Sequence, residues 1–582
     1  MAGTLWINRR FTPLCRRHCM LPSHPESHHL RYPPLAIAVF LSALLGLAVA
    51  PAPAQDDLRL PDIGSSAGEL LTPARQEQYG AMMLRELRNY RYTLEDPLVD
   101  DWLQSIGNRL GANSDRPEQR YVLFMLKDRQ INAFATLGGY IGMNAGLVLT
   151  AEREDEVAAV LAHEIAHVTQ QHVLRGVERA QRDQVPILLG MLAAIVVAQA
   201  AGGTSSGDAS QAALVGAMSL IQQNQINYTR SNEAEADRIG IRTLSRSGYD
   251  ADAMAGFFER MSFAMRGNQG GYSTPDYLRT HPVNTTRIGE AKQRADQLRQ
   301  RGAVTATTAV GEPGEQVVRV ERVEDPGVAA ATGKPNPLLP ADFRLDALPA
   351  ALAGGTGQFA WVQERLRALS ATTSDGAMRE YEALRRASPD GLSDPQRYGL
   401  ALVQTAHEPA VAATELQALQ RRHPDNPWVG MALGEAESRA GRHAAANARF
   451  DQWLRRLPGS RPVALTYARV LVEQGGTESG RRAQEVLRPL LARAGEDPIF
   501  QQTFARACEL AGDEARAGEA YAEAAFLNGR PEQALMQLEN LKKRGDLDYV
   551  ARARVDARIA AITPTVLELR RLGVRDPDMQ RR

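Results

Sequence analysis

This sequence is short of cysteine, of net charge and of long apolar runs, and each shortage closes off a class of protein. Its 582 residues include three cysteines, Cys15, Cys19 and Cys508, too few and too scattered for a disulfide framework or a cysteine-rich metal site. Lys plus Arg total 68 and Asp plus Glu total 68, so no overall field draws polyanions and nucleic acid is not expected as a partner. The apolar runs at 35–50 and 186–201 fall short of the ~20 residues that a bilayer span needs. What is there is a globular composition, 44% hydrophobic and 23% charged. The length exceeds the ~300 residues at which one core stops growing, so at least two domains are expected.

The run at 35–50, LAIAVFLSALLGLAVA, follows Arg31 and leads to Ala52-Pro53-Ala54, an A-x-A cleavage pattern. It reads as a signal peptide over 1–54, with Met1 or Met20 as the start and no cysteine behind it to carry a lipid. Removing it takes away five arginines and one glutamate, which leaves 63 basic and 67 acidic residues and a net charge of −4. It also takes two cysteines, so the exported fold must be held by its core alone. The expected compartment is a bacterial periplasm.

Apolar residues recur every four positions at Leu98, Trp102, Ile106 and Leu110, the mark of a helix within 72–110. Then the period changes. Short β-type runs at 121–126, 131–136 and 140–144, separated by Lys127-Asp128 and Gly138-Gly139, predict a small antiparallel sheet. Helices are expected again over 153–179, 230–265 and 283–300. Residues 55–302 therefore read as a mostly helical α+β domain. Within it, the apolar stretches 186–201 and 212–221 flank GGTSSGD and suggest a buried or interfacial hairpin, a candidate for peripheral membrane contact through 186–221.

Residues 303–358 are rich in Pro, Gly and Ala and read as a linker with one short strand at 316–320. Beyond it, Ala377, Tyr381 and Pro389 recur as Ala412, Leu416 and Pro424, then as Ala446, Phe450 and Pro458; Ala483 with Leu487 and Ala517 with Tyr521 continue the series. Offsets of ~34 residues match the tetratricopeptide helix pair, predicting an all-α repeat domain over 359–562 before a tail at 563–582.

The chemistry gathers in LAHEIAHV, 161–168. On a helix, His163 and His167 at i and i+4 share a face and can bind one metal ion, and Glu164 lies beside them. Neutral imidazoles hold Zn²⁺ with positions left open, while the glutamate takes a proton from the water that attacks a peptide bond. A third ligand is needed. In SNEAEADR, 231–238, Glu233 and Asp237 share a helical face, so one can ligate while the other orients a histidine or handles a proton; Glu235, ~200° round, is expected to point away. His172 does not suit the metzincin pattern, which wants glycine at 170 and histidine at 173, where Gln170 and Val173 stand. It is expected on an exposed helix surface.

HEIAH followed by E-A-E-A-D closely resembles the gluzincin metalloproteases, the family that includes HtpX and the CAAX prenyl protease, over residues 70–300. The order of leader, metalloprotease and repeats is similar to that of periplasmic members that combine protease and chaperone roles. This resemblance implies one zinc ion per chain on His163, His167 and Glu233, with Glu164 as base and Asp237 as supporting residue or proton donor. It implies that INAFATLGGYIGMNAGL forms a strand-turn-strand whose edge pairs with substrate backbone. By residue type alone His281-Pro282 is a helix-entry turn. The resemblance instead matches it, with Arg287 six on, to the family's H-P-x-x-x-x-R element and implies that His281 is a regulatory fourth ligand. The implied function is a periplasmic zinc endopeptidase acting on polypeptides, namely misfolded or stalled outer-membrane proteins at the assembly machinery. The alternative is a chaperone or scaffold with a latent protease site.

Overall fold

The structure, a computed structural model, describes residues 72–176, 178–179, 229–267, 281–302, 305–309, 318–322 and 356–571. The leader at 1–54 and the apolar pair at 186–221 lie outside the described residues. Among the described residues no helix is long and apolar enough to cross a membrane.

Helices α1 (Pro73–Asn89) and α2 (Pro97–Ala112) each begin with proline behind a capping side chain; Thr72 accepts from the Arg75 amide and Asp96 from the Val99 amide. The expected continuous helical stretch is broken between them, where Thr93 pairs with Leu126. Strands β1 (Val122–Leu126), β2 (Ala133–Ala135) and β3 (Tyr140–Asn144) follow, in the order β1-β3-β2. The sheet is mixed, not antiparallel. β2 and β3 form the expected hairpin, with Phe134 opposite Gly142, but β1 runs parallel to β3, with Val122 opposite Tyr140. The cause is topological: the chain leaving β1 crosses to the far edge before reversing, so the returning strand lies beside β1 and points the same way.

After α3 (Ala145–Thr150) comes α4 (Glu154–Thr169), buried at every position except the last turn's Val168. The helical pattern expected over 153–179 is interrupted at Gln170 and Gln171, the latter at φ 53°. The second expected helix is also two: α5 over 229–246 and α6 (Ala253–Gly267). α7 (Thr285–Gly302) closes this region, and β4 (Thr305–Ala309) pairs antiparallel with β5 (Val318–Arg322).

Among the described residues twelve α-helices follow: α8 (Phe359–Leu369), α9 (Ser374–Ala387), α10 (Asp394–Gln404), α11 (Pro409–Arg422), α12 (Pro427–Arg439), α13 (His443–Arg456), α14 (Arg461–Gln474), α15 (Thr477–Leu487), α16 (Pro498–Ala511), α17 (Glu514–Leu527), α18 (Pro531–Lys542) and α19 (Tyr549–Arg571). Each packs on the next, and α8, α12 and α14 also pack on the second helix along, α10, α14 and α16. The small and large apolar residues that recur from the first to the fourth copy are buried ones. Ala377, Ala412, Ala446 and Ala483 are buried, with Tyr381, Leu416, Phe450 and Leu487. At Gly434 a Cβ would stand 2.5 Å from the Phe450 ring, so glycine lets α12 and α13 close up.

One continuous apolar cluster runs from Leu94 through the sheet and α4 into Trp361, Trp428 and on to Ala520. α8 packs on α2 and α3, and α14 on α2. Polar groups fix the same seam. The Arg365 guanidinium donates two 2.7 Å hydrogen bonds to Asp96 and one of 3.0 Å to the Tyr398 hydroxyl, all buried. Thr356 donates its amide and hydroxyl to Glu154, at the start of α4, which also accepts from the Trp102 indole.

Candidate metal centre

Helix α4 lies at the centre of the fold because Val157, Val160, Leu161 and Ile165 are apolar, and this places His163 (0% exposed) and Glu164 (1%) inside it. α5 crosses α4 at His163. An added Cβ at Gly240 would stand 3.1 Å from the His163 backbone nitrogen, so a side chain there would push the two helices apart by a few tenths of an ångström. Ala236 and Ile239 pack on Ala166 at the same crossing. One and two turns earlier, Asp237 and Glu233 therefore face the histidines.

Four residues converge. His163, His167, Glu233 and His281 each offer a donor atom, and these atoms lie within 4.8 Å of one another. The Nε2 atoms of His163 and His167 are 3.0 Å apart, and His281 Nδ1 is 2.9 Å from Glu233 Oε1 and 3.4 Å from His163 Nε2. The turn before α7 thus brings His281 into the group. Glu164 lies alongside, its Oε1 3.6 Å from His281 Nε2, buried and without a hydrogen-bond partner.

Asp237 stands 3.0 Å from His163 Nδ1, on the far side of that ring from the cluster. Arg287 holds it with two hydrogen bonds, 2.7 and 2.8 Å, while the same guanidinium lies 2.9 Å from Glu233 Oε2 and over the Phe258 ring. Arg287 also donates to the Pro282 carbonyl, fixing the turn that carries His281.

The charges follow from this packing. Burial opposes ionisation of Glu233, but the imidazoles of His163, His167 and His281 hold it far below the carboxylate range. Burial likewise works against Asp237, and His163 and Arg287 overcome it, leaving the carboxyl lowered. Burial would lower His163, yet its bonds to Asp237 and Glu233 raise it to about 10, whereas burial prevails at His167 and lowers it to about 4. The pocket is arranged to hold positive charge. Buried imidazoles and one carboxylate, converging without cysteine, suit Zn²⁺ rather than the all-oxygen shells of Mg²⁺ or Ca²⁺.

One expectation about neighbouring residues needs correction. His172 is not on the surface. The break at Gln170–Gln171 folds it back, and it is 4% exposed, 2.8 Å from His167 Nδ1 through its own Nδ1. Glu235 stays out of the cluster, as its position on the helix implies; it accepts from Arg175 at 2.8 Å and stands 3.1 Å from His172 Nε2. The role of Arg287 was also not legible as a clamp on both acidic residues. The H-P-x-x-x-x-R spacing was its only signal.

A profile of peptidase family M48 matches residues 97–295. A beta-barrel assembly-enhancing protease of Yersinia pestis is 30% identical over 526 residues, 90% of this chain and 93% of its own length. The enzyme of that name from Escherichia coli K12 is 37% identical over 265 residues, 45% of this chain and 52% of its own length. A Vibrio cholerae protein named as its counterpart is 42% identical over 250 residues, 42% of this chain and 50% of its own. The last two matches span about half the length of those relatives.

Proposed function

Because this chain belongs to peptidase family M48, we propose that it is a zinc-dependent endopeptidase of the periplasm, acting on polypeptides in the assembly or quality control of outer-membrane proteins. The observation that carries the reading is the convergence of His163, His167 and Glu233 beside a buried carboxylate, Glu164, whose Oε1 makes no hydrogen bond. The names of the Yersinia and Escherichia relatives support the outer-membrane part of the reading, and the leader at 1–54 supports the compartment. The 34-residue recurrence and the packing of α8–α19 support tetratricopeptide repeats that bind substrate or partner.

His163, His167 and Glu233 would hold the ion. When bound there, zinc would supply Lewis acidity that polarises a peptide carbonyl and makes water a better nucleophile at neutral pH. Glu164 takes the proton of the attacking water on Oε1 and returns it to the departing amide nitrogen. Asp237 faces Nδ1 of His163, keeps that ring turned so that Nε2 faces the cluster, and is itself held by Arg287. It acts by positioning. Purified protein should contain one zinc per chain and digest casein. A preparation with zinc bound and no proteolysis under any condition would remove the enzyme reading.

The second reading, a chaperone or scaffold with a latent site, draws on His281. Its Nδ1 already lies among the ligand atoms, and a fourth imidazole on zinc would exclude the water that hydrolysis needs. His281→Ala should retain zinc and raise proteolysis, self-cleavage included. A variant as inactive as Glu164→Gln with zinc still bound would make His281 part of the reaction and not a latch.

A further inference from the structure

We propose that His172 is a positioning residue for the metal centre, fixing which nitrogen of His167 bears the proton through the chain His167–His172–Glu235–Arg175. The inference rests on the zinc reading above for its purpose, though the proton arrangement itself does not require the metal.

The geometry fixes the logic. His167 turns Nε2 towards the cluster, 3.0 Å from His163 Nε2 and 3.4 Å from Glu233 Oε1. Its other nitrogen, Nδ1, is 2.8 Å from Nδ1 of His172, and the rings meet edge to face at 77° with centroids 4.7 Å apart. An approach of two ring nitrogens at that distance holds one proton between them, so one ring donates and the other accepts. The far end decides which. His172 Nε2 stands 3.1 Å from Glu235 Oε2, and the Arg175 guanidinium donates to that same oxygen at 2.8 Å. A carboxylate held by arginine accepts, so His172 carries its proton on Nε2 and leaves Nδ1 bare. His167 must then donate from Nδ1, and its Nε2 lone pair is directed at the cluster. The opposite polarity would put a hydrogen on Nε2, where a metal ion must bind.

The backbone supports the assignment. Gln171 adopts φ 53°, a left-handed conformation that is unfavourable for a residue with a Cβ. That turn ends α4 and folds the next residue, His172, beneath His167, where it is buried. Helical continuation would have carried it elsewhere. Metal-bound histidines commonly donate their second nitrogen to a carboxylate or carbonyl; here a second imidazole is interposed, and the carboxylate acts one residue further out.

The test uses the whole exported chain labelled with ¹⁵N-histidine, with and without zinc. In the metal-free wild type, the ring shifts should report His172 protonated at Nε2 and bare at Nδ1, and His167 protonated at Nδ1. His172→Phe keeps a ring but offers no acceptor, and should mix the His167 tautomers and weaken zinc binding, read by chelator competition, by about 10- to 100-fold. His172→Asn places an amide oxygen near the lost Nδ1 and should recover most of that loss at the same melting temperature. A wild-type spectrum with His172 protonated at Nδ1 overturns the proposal, as does an Asn variant as weak as the Phe variant, or a Phe variant with wild-type affinity. Should the variants not fold, the wild-type spectrum decides alone. Absence of zinc binding in the wild type would count against the enzyme reading, not against this one.

Discussion

At the scale of single residues, the site separates holding a metal from using it. Glu164 touches none of the other donors closely, while His163 and His167 are fixed by the crossing of α4 and α5. Glu164→Gln should therefore keep full zinc content and lose hydrolysis by about 100- to 10,000-fold, the usual worth of a placed acid–base group. Loss of zinc in that variant would show that Glu164 is a ligand. Glu235→Ala should spare more zinc than Glu233→Ala, because Glu235 reaches the centre only through His172. What could be read from sequence here follows from spacing. His163, Glu164, His167, Glu233 and Asp237 sit at helical intervals, so their common faces were legible. His281 and Arg287 reach the centre from another element, and only the H-P-x-x-x-x-R spacing of the family resemblance pointed to them. His172 was misjudged because its direction is set by one left-handed residue, Gln171, which no helical periodicity announces.

At the scale of elements, close helix crossings and caps bear the strain of substitution. Gly240→Val would place methyl groups against the backbone of His163. α5 would have to retreat, and the expected result is a folded protein with reduced zinc occupancy, checked by metal analysis beside circular dichroism. Asp96 caps α2 and pairs with Arg365 of α8. Burial works against its charge, but Arg365 beside it leaves the carboxyl below its ordinary value. A carboxyl lowered in the folded state stabilises above the unfolded pKa of ~3.9 and loses that contribution as pH falls through the folded value. The melting temperature should thus be insensitive to this pair between pH 5 and 7, to fall on the acid side below about pH 4, and Asp96→Asn should flatten that acid limb. At neutral pH the same variant strands a buried guanidinium, at a cost of about 3–5 kcal/mol. The strands were legible from their β-type runs, and the hairpin from Gly138-Gly139. The parallel β1–β3 pairing was not, since strand order depends on where the chain crosses, which local pattern does not encode.

At the scale of the whole molecule, the N-terminal region and the helical array share apolar surface. Composition suggested a linker at 303–358 and hence separable parts, whereas the cluster from Leu94 to Ala520 joins residues on both sides of it. Both should unfold together: calorimetry should give one transition spanning α2 to α17, and two well-separated transitions would contradict a common core. The last helices carry a second cluster, from Ala522 to Val566, and are the part that could loosen first. A common core also bears on inheritance. A lineage that acquired its protease and its helical array as exchangeable cassettes would have to repair the seam each time, matching Asp96 to Arg365 and Glu154 to Thr356. Recombination between relatives should therefore succeed when the break falls outside this seam or carries both partners across together. A hybrid that takes α8 from one parent and α2 from another, unmatched, should reach the cell as an insoluble chain, whatever the quality of its catalytic residues.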